Sequence, residues 1–371
     1  MISRAAQVES LLSAAVSGWE PVPPWSVARA RLGAGGSVIA KWTRPHVLQT
    51  QDDGRRTRTE VAALCFLSDD LGLDLAPRVL AADLDGGLVV LEDLSPRTPL
   101  DGLLRADGPA PHAGRLAAFG RARGTLNAAT AGRAATYYAR RAALGPISPA
   151  EDRAGHLAGH HERGLRASAA FGAPVTGRAA GELAAAVAEL REPGPFLALS
   201  NGDPESNNVL VHAAGEPDAR LIDFEFAGYT HCLHDAVCLH VPGPGWLSVA
   251  DPGPAAAYRR ALALGVPEAE DDRRYGFGLA AACLWYALVR AERLPTLDAR
   301  PPGDDSRAQL VATLEAAAGA AKGVLPHLAG WADRTAELLR RRWPDADRDF
   351  GGLPPYTPRV RFPAGPTSES R

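Results

Sequence analysis

Three oxygen-bearing side chains, Asp203, Asn208 and Asp223, stand at spacings that suit the transfer of a phosphoryl group. Asp203 and Asn208 share one polar loop, and Asp223 directly follows an apolar run further along the chain. Amide and carboxylate oxygens are ligands that Mg²⁺ accepts, and a further carboxylate can accept or orient the proton of an attacking hydroxyl. The sequence therefore favours phosphoryl transfer from a nucleotide, with Asn208 and Asp223 as metal ligands and Asp203 as the catalytic residue.

The elements around these residues indicate how the three side chains could meet. An apolar run, Phe196–Leu199, leads into the polar loop, and two runs with strand character follow at Val209–Val211 and Leu221–Ile222. The Gly-Glu-Pro-Asp sequence between the last two runs predicts a hairpin turn. We expect a strand, a loop and then a hairpin whose second strand returns Asp223 beside Asp203.

An alternative for Asp203 and Asn208 is that both are ordinary turn residues, because Asp, Asn, Gly and Pro are the commonest residues of loops. An Asp and an Asn at this spacing alone would favour that alternative. The succession of strand, loop, hairpin and second Asp favours the catalytic interpretation, since phosphoryl-transfer motifs require this context.

The same stretch resembles a known family. The chain reads N-G-D-P-E-S-N-N from residue 201 and I-D-F-E from residue 222. This text is similar to the signature of the aminoglycoside phosphotransferase-like small-molecule kinases, a branch of the protein-kinase fold, except that Asn201 stands where the family usually has His. The resemblance implies ATP and Mg²⁺ as cofactors and a small molecule with a hydroxyl group as the phosphate acceptor. It also implies that Asp235 supports the catalytic loop without taking part in the chemistry.

Lys41 is one of only two lysines in the chain and ends the strand-like run V-I-A-K. The resemblance assigns Lys41 to the ATP phosphates and Glu60, on the following helix, to an ion pair that positions the lysine. Two alternatives stay open. Lys41 could be a solvated strand residue, and Thr57 with Glu60 forms a capping box in which Glu60 would serve only the helix N-terminus.

Gly35 and Gly36 lie closer to Lys41 than the glycine-rich loop of the family usually does. Their backbone either contributes to binding the ATP phosphates or only turns a hairpin, because both tasks require the same conformational freedom.

A second strand-like run ends at Glu92 and leads through Leu94 into a polar, proline-containing link. The resemblance makes this link the hinge of a kinase-like fold, where backbone groups near Glu92 and Leu94 would bind the adenine edge. The link is also the expected boundary between two lobes.

We therefore predict an α/β (α+β) chain with a bilobal protein-kinase-like fold. The N-lobe, 1–94, is predicted to hold a small antiparallel sheet with one helix. Beyond it the strand signals become rare and helical periodicity dominates, which predicts a larger helical C-lobe over 95–345. The segment 346–371 is rich in Pro, Gly, Ser and Arg and is predicted to be a loosely held tail.

Composition narrows the class of protein. The 371 residues are 46% hydrophobic and 22% charged, with a net charge of −3, which is ordinary for a globular protein and gives no basic surface for nucleic acid.

No apolar run reaches the roughly 18–20 residues that span a bilayer. At the N-terminus, Gln7 and Glu9 interrupt the apolar run that a secretory signal requires, so an amphipathic helix is favoured there. Four cysteines without C-x-x-C spacing indicate buried thiols, and together these features predict a cytoplasmic protein without membrane partners.

Two further clusters are assigned no chemistry. His156, His160, His161 and Glu162 could place imidazoles on one helix face, but the ligand set for zinc is incomplete. The acidic run 268–272 could attract a cationic substrate, although such runs are usually solvated surface.

Two functions from different classes remain. The first is an ATP- and Mg²⁺-dependent phosphotransferase acting on a hydroxyl group of an antibiotic, a sugar or an amino alcohol. The second is a catalytically weak or inactive nucleotide-binding pseudokinase with a regulatory role, suggested by Asn201 and by the short glycine turn. A protein kinase is disfavoured because no Asp-Phe-Gly or Ala-Pro-Glu motif follows Asp223.

Overall fold

The computed structural model describes residues 4–22, 26–42, 53–157, 159–301 and 303–361. Its N-terminal part contains helices α1 and α2 and a five-stranded sheet in the order β1-β2-β3-β5-β4, with every neighbouring pair antiparallel. The elements are α1 (Arg4–Leu12), β1 (Val16–Val22), β2 (Val27–Leu32), β3 (Ser37–Trp42), α2 (Asp53–Cys65, continued by a π-helical turn, Phe66–Asp70), β4 (Val79–Asp83) and β5 (Leu88–Glu92).

Strand β1 was not predicted, because its sequence contains Gly18 and Pro21 and reads as a proline-rich entry. The strand lies at the edge of the sheet, where a proline without an N–H group does not interrupt a shared ladder. The predicted N-terminal helix is present as α1.

Alternation of side chains explains how the sheet packs. Ala28, Ala30, Val38 and Ala40 point to one face, where they form a small core with Val8 of α1. The residues between them point to the opposite face, toward α2 and the helical part of the chain. This second face is where the sheet contributes to the functional site.

The remainder of the chain is mainly helical, with short two- and three-stranded sheets. Its elements are β6 (Thr98–Pro99), α3 (Leu100–Asp107), α4 (Ala113–Thr130), α5 (Ala134–Ala143), α6 (Pro149–Leu157), α7 (His160–Ala170), α8 (Arg178–Arg191), β7 (Leu197–Ser200), β8 (Val209–Val211), β9 (Ala219–Leu221), β10 (Gly228–His231), β11 (Trp246–Ser248), α9 (Pro252–Ala263), α10 (Asp272–Ala291), α11 (Leu294–Asp298), α12 (Ser306–Ala321), α13 (Pro326–Arg342) and β12 (Thr357–Pro358). The predicted succession of a small antiparallel-sheet part and a larger helical part is confirmed.

Helix α4 is held close to α9 by two glycines. A Cβ atom on Gly120 or Gly124 would overlap the backbone of α9, so only glycine allows this approach. The close contact lets Tyr258 of α9 donate a hydrogen bond to Asn127 of α4 at 2.8 Å. These contacts fix the position of helix α4, which supports the loop between β7 and β8.

The segment from 346 to 361 is packed against the helical part, in contrast to the loosely held tail that its composition suggests. Strand β12 pairs with β11, and Tyr356 is 2% exposed with its ring edge-on to Trp246. Arg348 forms a 2.7 Å ion pair with Asp305. The packing arises because one aromatic side chain fills the core beside β11, which composition alone does not indicate. Residues 362–371 of the predicted tail lie outside the described residues.

Two further observations concern the whole chain. Within the described ranges, none of the helices combines the length and the apolar character needed to cross a bilayer. The four cysteines are free thiols, and three of them are buried, as predicted: Cys232, Cys238 and Cys283.

Candidate active site

The loop between β7 and β8 brings two of the predicted residues together. It ends in a short 3₁₀ turn, Ser206–Asn208, which starts β8. The Asn208 side-chain amide donates to the Asp203 carboxylate at 3.0 Å and to the Asp203 backbone carbonyl at 3.0 Å. These hydrogen bonds close the loop on itself and fix both side chains on the same side.

The hairpin of β8 and β9 returns the third residue, as the sequence predicted. Val209 pairs with Leu221, and the Ile222 N–H donates to the Asn208 carbonyl at 3.0 Å. Asp223 follows immediately, in a left-handed conformation with φ of 64°. Such a conformation is unfavourable for a residue other than glycine and is common at functional sites, where the surrounding structure holds it.

Lys41 lies among carboxylates and not in solvent. Its Nζ is 2.9 Å from Glu60 Oε1, 2.5 Å from Asp223 Oδ1 and 3.5 Å from Glu225 Oε2. Helix α2 has begun by Asp53, so Glu60 stands in its interior and not in the capping position that the alternative required. The predicted Lys41–Glu60 ion pair is therefore formed, and Asp223 joins it.

The charges of this cluster are coupled. Burial alone would lower the pKa of Lys41, but Glu60, Asp223 and Glu225 outweigh it and raise that pKa, so the lysine stays protonated. Burial raises the pKa of Glu60, and Lys41 opposes this effect. Lys41 and Arg56, whose Nη1 is 3.9 Å from Glu225 Oε1, thus face three carboxylates, which still leaves a surplus of negative charge that favours a bound cation.

Asn208 and Asp223 offer Mg²⁺ one amide oxygen and one carboxylate. The Asp223 side chain is 36% exposed and therefore accessible. No group of three or more His, Cys, Asp or Glu side chains in the described parts of the chain is arranged to hold a metal ion. The donors present fit Mg²⁺, which usually keeps several waters and takes further ligands from substrate phosphates.

Asn201 braces the loop between β7 and β8 from within the core. It is fully buried, accepts a hydrogen bond from Arg123 Nη1 at 2.6 Å and donates one to the Ile222 carbonyl at 3.1 Å. The Asp203 N–H donates to the same Asn201 oxygen at 3.3 Å. One amide thus connects helix α4, the loop and the strand end before Asp223.

Asp235 supports the start of the same loop, as the resemblance implied. It accepts from the Ser200 hydroxyl at 2.5 Å and from the Asn127 amide at 3.1 Å. Sequence reasoning treated helix α4 as a core stripe and assigned no role to Arg123 or Asn127. A signal was present, because an arginine on an otherwise apolar helix face is unusual and requires a buried partner.

A cavity of about 350 Å³ opens beside Asp203 on the helical side. Burial raises the pKa of Asp203, while the hydrogen bond from Asn208 opposes the shift. Glu205 lines the same cavity, and burial together with the nearby Asp203 raises its pKa to about 7. The opposite wall is formed by Trp285 and Tyr286 of α10. Sequence reasoning missed Glu205 because it reads as one more polar residue of the loop.

Gly35 and Gly36 are in the turn between β2 and β3, both with positive φ. The strand register pairs Arg31 with Ser37 next to this turn, whereas Lys41 pairs with Val27 at the other end of β3. Lys41 is four residue steps along the strand from Ser37, roughly 13 Å. The structure therefore favours the hairpin alternative over phosphate contact, because the glycines lie at the wrong end of the strand.

Glu92 ends β5 and pairs with Val38 of β3. Its N–H donates to the Arg78 carbonyl at 2.9 Å, so this group is already used within the sheet. Leu94 is buried at 7% exposure, and its carbonyl accepts from the Arg97 N–H at 3.1 Å. A role of this link in adenine binding stays a prediction.

Asp93, between these two residues, holds an ion pair that was not predicted. It lies 2.7 Å from Arg29 Nε on β2 and accepts from the Ser37 hydroxyl at 2.5 Å. Hydrogen bonds from Arg29, Ser37 and Ser95 outweigh the effect of burial and lower the pKa of Asp93 to about 2. The interaction connects the hinge region to the sheet.

No protein-family model matches the chain, and no curated protein matches it. The solved structures that resemble it include a choline/ethanolamine kinase family protein from Mesorhizobium loti, with 18% identity over 89% of this chain and 98% of that chain and a TM-score of 0.49. An aminoglycoside phosphotransferase from Alicyclobacillus acidocaldarius shows 13% identity over 92% and 96% of the two chains, with a TM-score of 0.48.

A macrolide 2'-phosphotransferase from Brachybacterium faecium shows 17% identity over 85% of this chain and 96% of that chain, with a TM-score of 0.48. These proteins are small-molecule kinases and phosphotransferases by name, the class whose signature the catalytic loop resembles. Likeness at this level does not define an activity, so the function follows from the site itself.

Proposed function

We propose that this protein transfers the γ-phosphoryl group of ATP to a hydroxyl group of a small molecule, with Mg²⁺ as cofactor. The observation that carries the proposal is the convergence of four separate elements on one point. Lys41 of β3 reaches Glu60 of α2 and Asp223 at the end of the hairpin, while Asp203 and Asn208 are joined beside them. The proposed site is a cation-binding and phosphate-binding centre next to a cavity.

Lys41 is the residue that would bind the phosphates. It is protonated and held by Glu60, which is 3% exposed and also accepts from the Phe224 N–H at 3.3 Å. Glu60 fixes the direction of the lysine, so that its ammonium group is already oriented when phosphate oxygens arrive. Asp223 would then exchange its contact with Lys41 for the metal.

Asn208 and Asp223 would hold Mg²⁺, which neutralises charge on the phosphates when bound. Both side chains lie next to regular elements, since Asn208 ends the 3₁₀ turn directly before β8 and Asp223 comes two residues after β9. Because both side chains are already ordered, little conformational entropy is lost when they bind the metal.

Asp203 faces the cavity and would receive the acceptor hydroxyl. The acceptor oxygen forms a bond to the γ-phosphorus, the bond from that phosphorus to the oxygen of the departing ADP breaks, and the hydroxyl proton passes to the Asp203 carboxylate. The raised pKa of Asp203 makes it a better proton acceptor than a solvated aspartate. Most of the rate enhancement would come from alignment and charge stabilisation.

Asn201 bears on the pseudokinase alternative. That alternative was suggested by the absence of the usual His at this position, which would weaken the loop. Asn201 makes hydrogen bonds to Arg123, the Ile222 carbonyl and the Asp203 N–H, and so performs the bracing role. These contacts support the active phosphotransferase over the inactive form.

The test is the substitution Asp203→Asn, which keeps the volume and the hydrogen bond but removes the base. We expect the phosphoryl-transfer rate to fall by roughly 10²–10⁴ with an unchanged melting temperature. Asp85→Asn, in an exposed turn where the side chain is 96% exposed, is the matched control and should be neutral. Wild-type turnover by Asp203→Asn on an identified acceptor would contradict the assignment.

A further inference from the structure

The cavity beside Asp203 contains a carboxyl group without a direct partner, Glu205. The Glu205 carboxylate has no hydrogen-bond or ion-pair partner among the residues that the structure describes. It lies directly against Gly243, where a side chain would overlap its oxygens. A partly buried carboxylate without a partner is costly, and the cost is relieved when a cation binds.

The same cavity contains an unpaired positive charge. Arg290, near the end of α10, lines the cavity, and its one hydrogen bond within the described residues is to the neutral Gln309 side chain at 3.4 Å. No carboxylate of the described chain lies within 4 Å of it, Glu205 included. The two groups therefore line one cavity without a direct ion pair, although Arg290 is close enough to oppose the rise in the pKa of Glu205.

Further arginines lie near Arg290, although none of them lines the cavity. The Arg359 backbone N–H donates to the Gly245 carbonyl at 3.0 Å, next to Pro244 of the cavity wall. Burial and the neighbouring guanidinium groups of Arg361, Arg290 and Arg293 lower the pKa of Arg359 to about 10, and Asp304 opposes this effect. The surroundings of Arg290 therefore carry several positive charges, which favour an anionic group next to it.

From this arrangement, and on the basis of the proposed function, we infer that the acceptor is a small zwitterion that carries a hydroxyl, an ammonium and a carboxylate group. Glu205 would bind the ammonium, Arg290 the carboxylate, and Asp203 the hydroxyl. Such a molecule neutralises both unpaired charges at once.

The aromatic wall fits the same class of ligand. Trp285 and Tyr286 present ring surface to the cavity, against which a short carbon chain or an ammonium group packs favourably. The Trp285 indole N–H and the Tyr286 hydroxyl are buried and make no hydrogen bond within the described chain. A polar ligand that reached these donors would satisfy them.

Other acceptors fit the charges less well. A polycationic aminoglycoside would bring several ammonium groups toward Arg290, and a cavity of about 350 Å³ is at the small end for ligand sites. A neutral sugar would leave both charges unpaired. A simple amino alcohol would leave Arg290 unpaired.

The experiment uses two matched sets of compounds and measures their binding by calorimetry to the full-length protein without ATP. The first set is L-serine, ethanolamine and hydroxypropionate, and the second is L-homoserine, aminopropanol and hydroxybutyrate. Within a set the members differ only in which charged groups they carry. We expect a zwitterion to bind roughly tenfold or more tightly than either partner compound, since each charged contact contributes.

Two variants test which residue binds the ammonium group of the acceptor and which binds its carboxylate. Glu205→Gln should remove the advantage of the zwitterion over the hydroxy acid, and Arg290→Gln should remove its advantage over the amino alcohol. Arg290→Lys should restore part of the loss. Glu162→Gln and Arg273→Gln, both exposed, are the matched controls.

Tighter binding of an amino alcohol than of its zwitterion, or binding of no compound, would overturn the inference. An equal fall in kcat for every acceptor in Arg290→Gln would assign the arginine to the transferred phosphate and would also overturn it. Binding of ATP·Mg²⁺ is measured on the same protein. If ATP·Mg²⁺ binds and the zwitterions do not, only this inference fails; if ATP·Mg²⁺ does not bind, the proposed function fails.

Discussion

At the scale of residues, Lys41 and Arg123 show which side-chain contacts can be predicted from the sequence and which cannot. The family resemblance predicted that Glu60 pairs with Lys41, and this ion pair is present at 2.9 Å. The partner of Arg123 could not be predicted, because Asn201 lies 78 residues away and only the tertiary fold brings the two residues together. Motif spacing predicts local loops, whereas side-chain pairing across elements depends on packing.

Lys41→Met should weaken ATP·Mg²⁺ binding by roughly tenfold or more, because a charge-assisted contact to phosphate is lost. It should also destabilise the fold by roughly 3 kcal/mol, since Glu60 keeps a buried charge without its partner. Calorimetric titration and urea unfolding measure the two effects. Lys322→Met, at the other, exposed lysine, is the control. Unchanged ATP·Mg²⁺ binding in Lys41→Met would exclude the phosphate role.

At the scale of elements, the register of the strands decides which residues lie close together in space, and closeness in the sequence does not. Gly35 and Gly36 are close to Lys41 in the sequence. The glycines, however, lie in the turn at the start of β3, whereas Lys41 lies near the end of that strand. Strand β1 was missed for a related reason, because edge strands tolerate the glycine and proline that usually interrupt a strand. The hairpin of β8 and β9 was predicted because its turn and both strands are local.

Gly36→Ala should lower the free energy of unfolding by roughly 1 kcal/mol, because φ of 84° is unfavourable for alanine. The affinity for ATP·Mg²⁺ should not change, since the turn lies away from Lys41. Gly319→Ala, within helix α12 and without close neighbours, is the comparison. A selective loss of nucleotide affinity in Gly36→Ala would return the glycines to the phosphate site.

Asp93→Asn should lower the free energy of unfolding by roughly 1–2 kcal/mol at neutral pH, where the Arg29 ion pair is intact. The folded-state pKa of Asp93 is lowered to about 2, so its stabilisation is complete above the unfolded value and is lost as pH falls from about 4 toward 2. Urea unfolding of both proteins from pH 7 downward should show the difference narrowing below about pH 4. A difference that does not depend on pH would contradict this ion-pair account.

At the scale of the whole molecule, the predicted order of a sheet-containing part and a helical part follows from hydrophobic periodicity, which changes along the chain. The position of the lobe boundary near residue 94 stays a prediction, because α2 and β5 share their core with the helical part. The packing of the segment 346–361 could not be predicted from its composition. Its partner, β11, lies about a hundred residues earlier, and the pairing is a property of the completed fold.

Tyr356→Ala should destabilise the protein by roughly 3 kcal/mol, because a large buried ring is removed beside Trp246. Val360→Ala, at a side chain that is 54% exposed, should be within about 0.5 kcal/mol of the wild type. Thermal and urea unfolding measure both variants. Equal stability of the two variants would mean that this segment contributes little to the fold.

The proposed function requires that Lys41, Asp223, Asn208 and Asp203 form one site that carries out phosphoryl transfer. Phosphorus NMR of ATP with a panel of small hydroxyl compounds follows that transfer most directly. We predict that a phosphate-ester signal grows as ATP is converted to ADP, that it requires Mg²⁺, and that it is lost in Asp203→Asn. Binding of ATP·Mg²⁺ without any ester over the whole panel would favour the pseudokinase, and absence of both binding and ester would contradict the account.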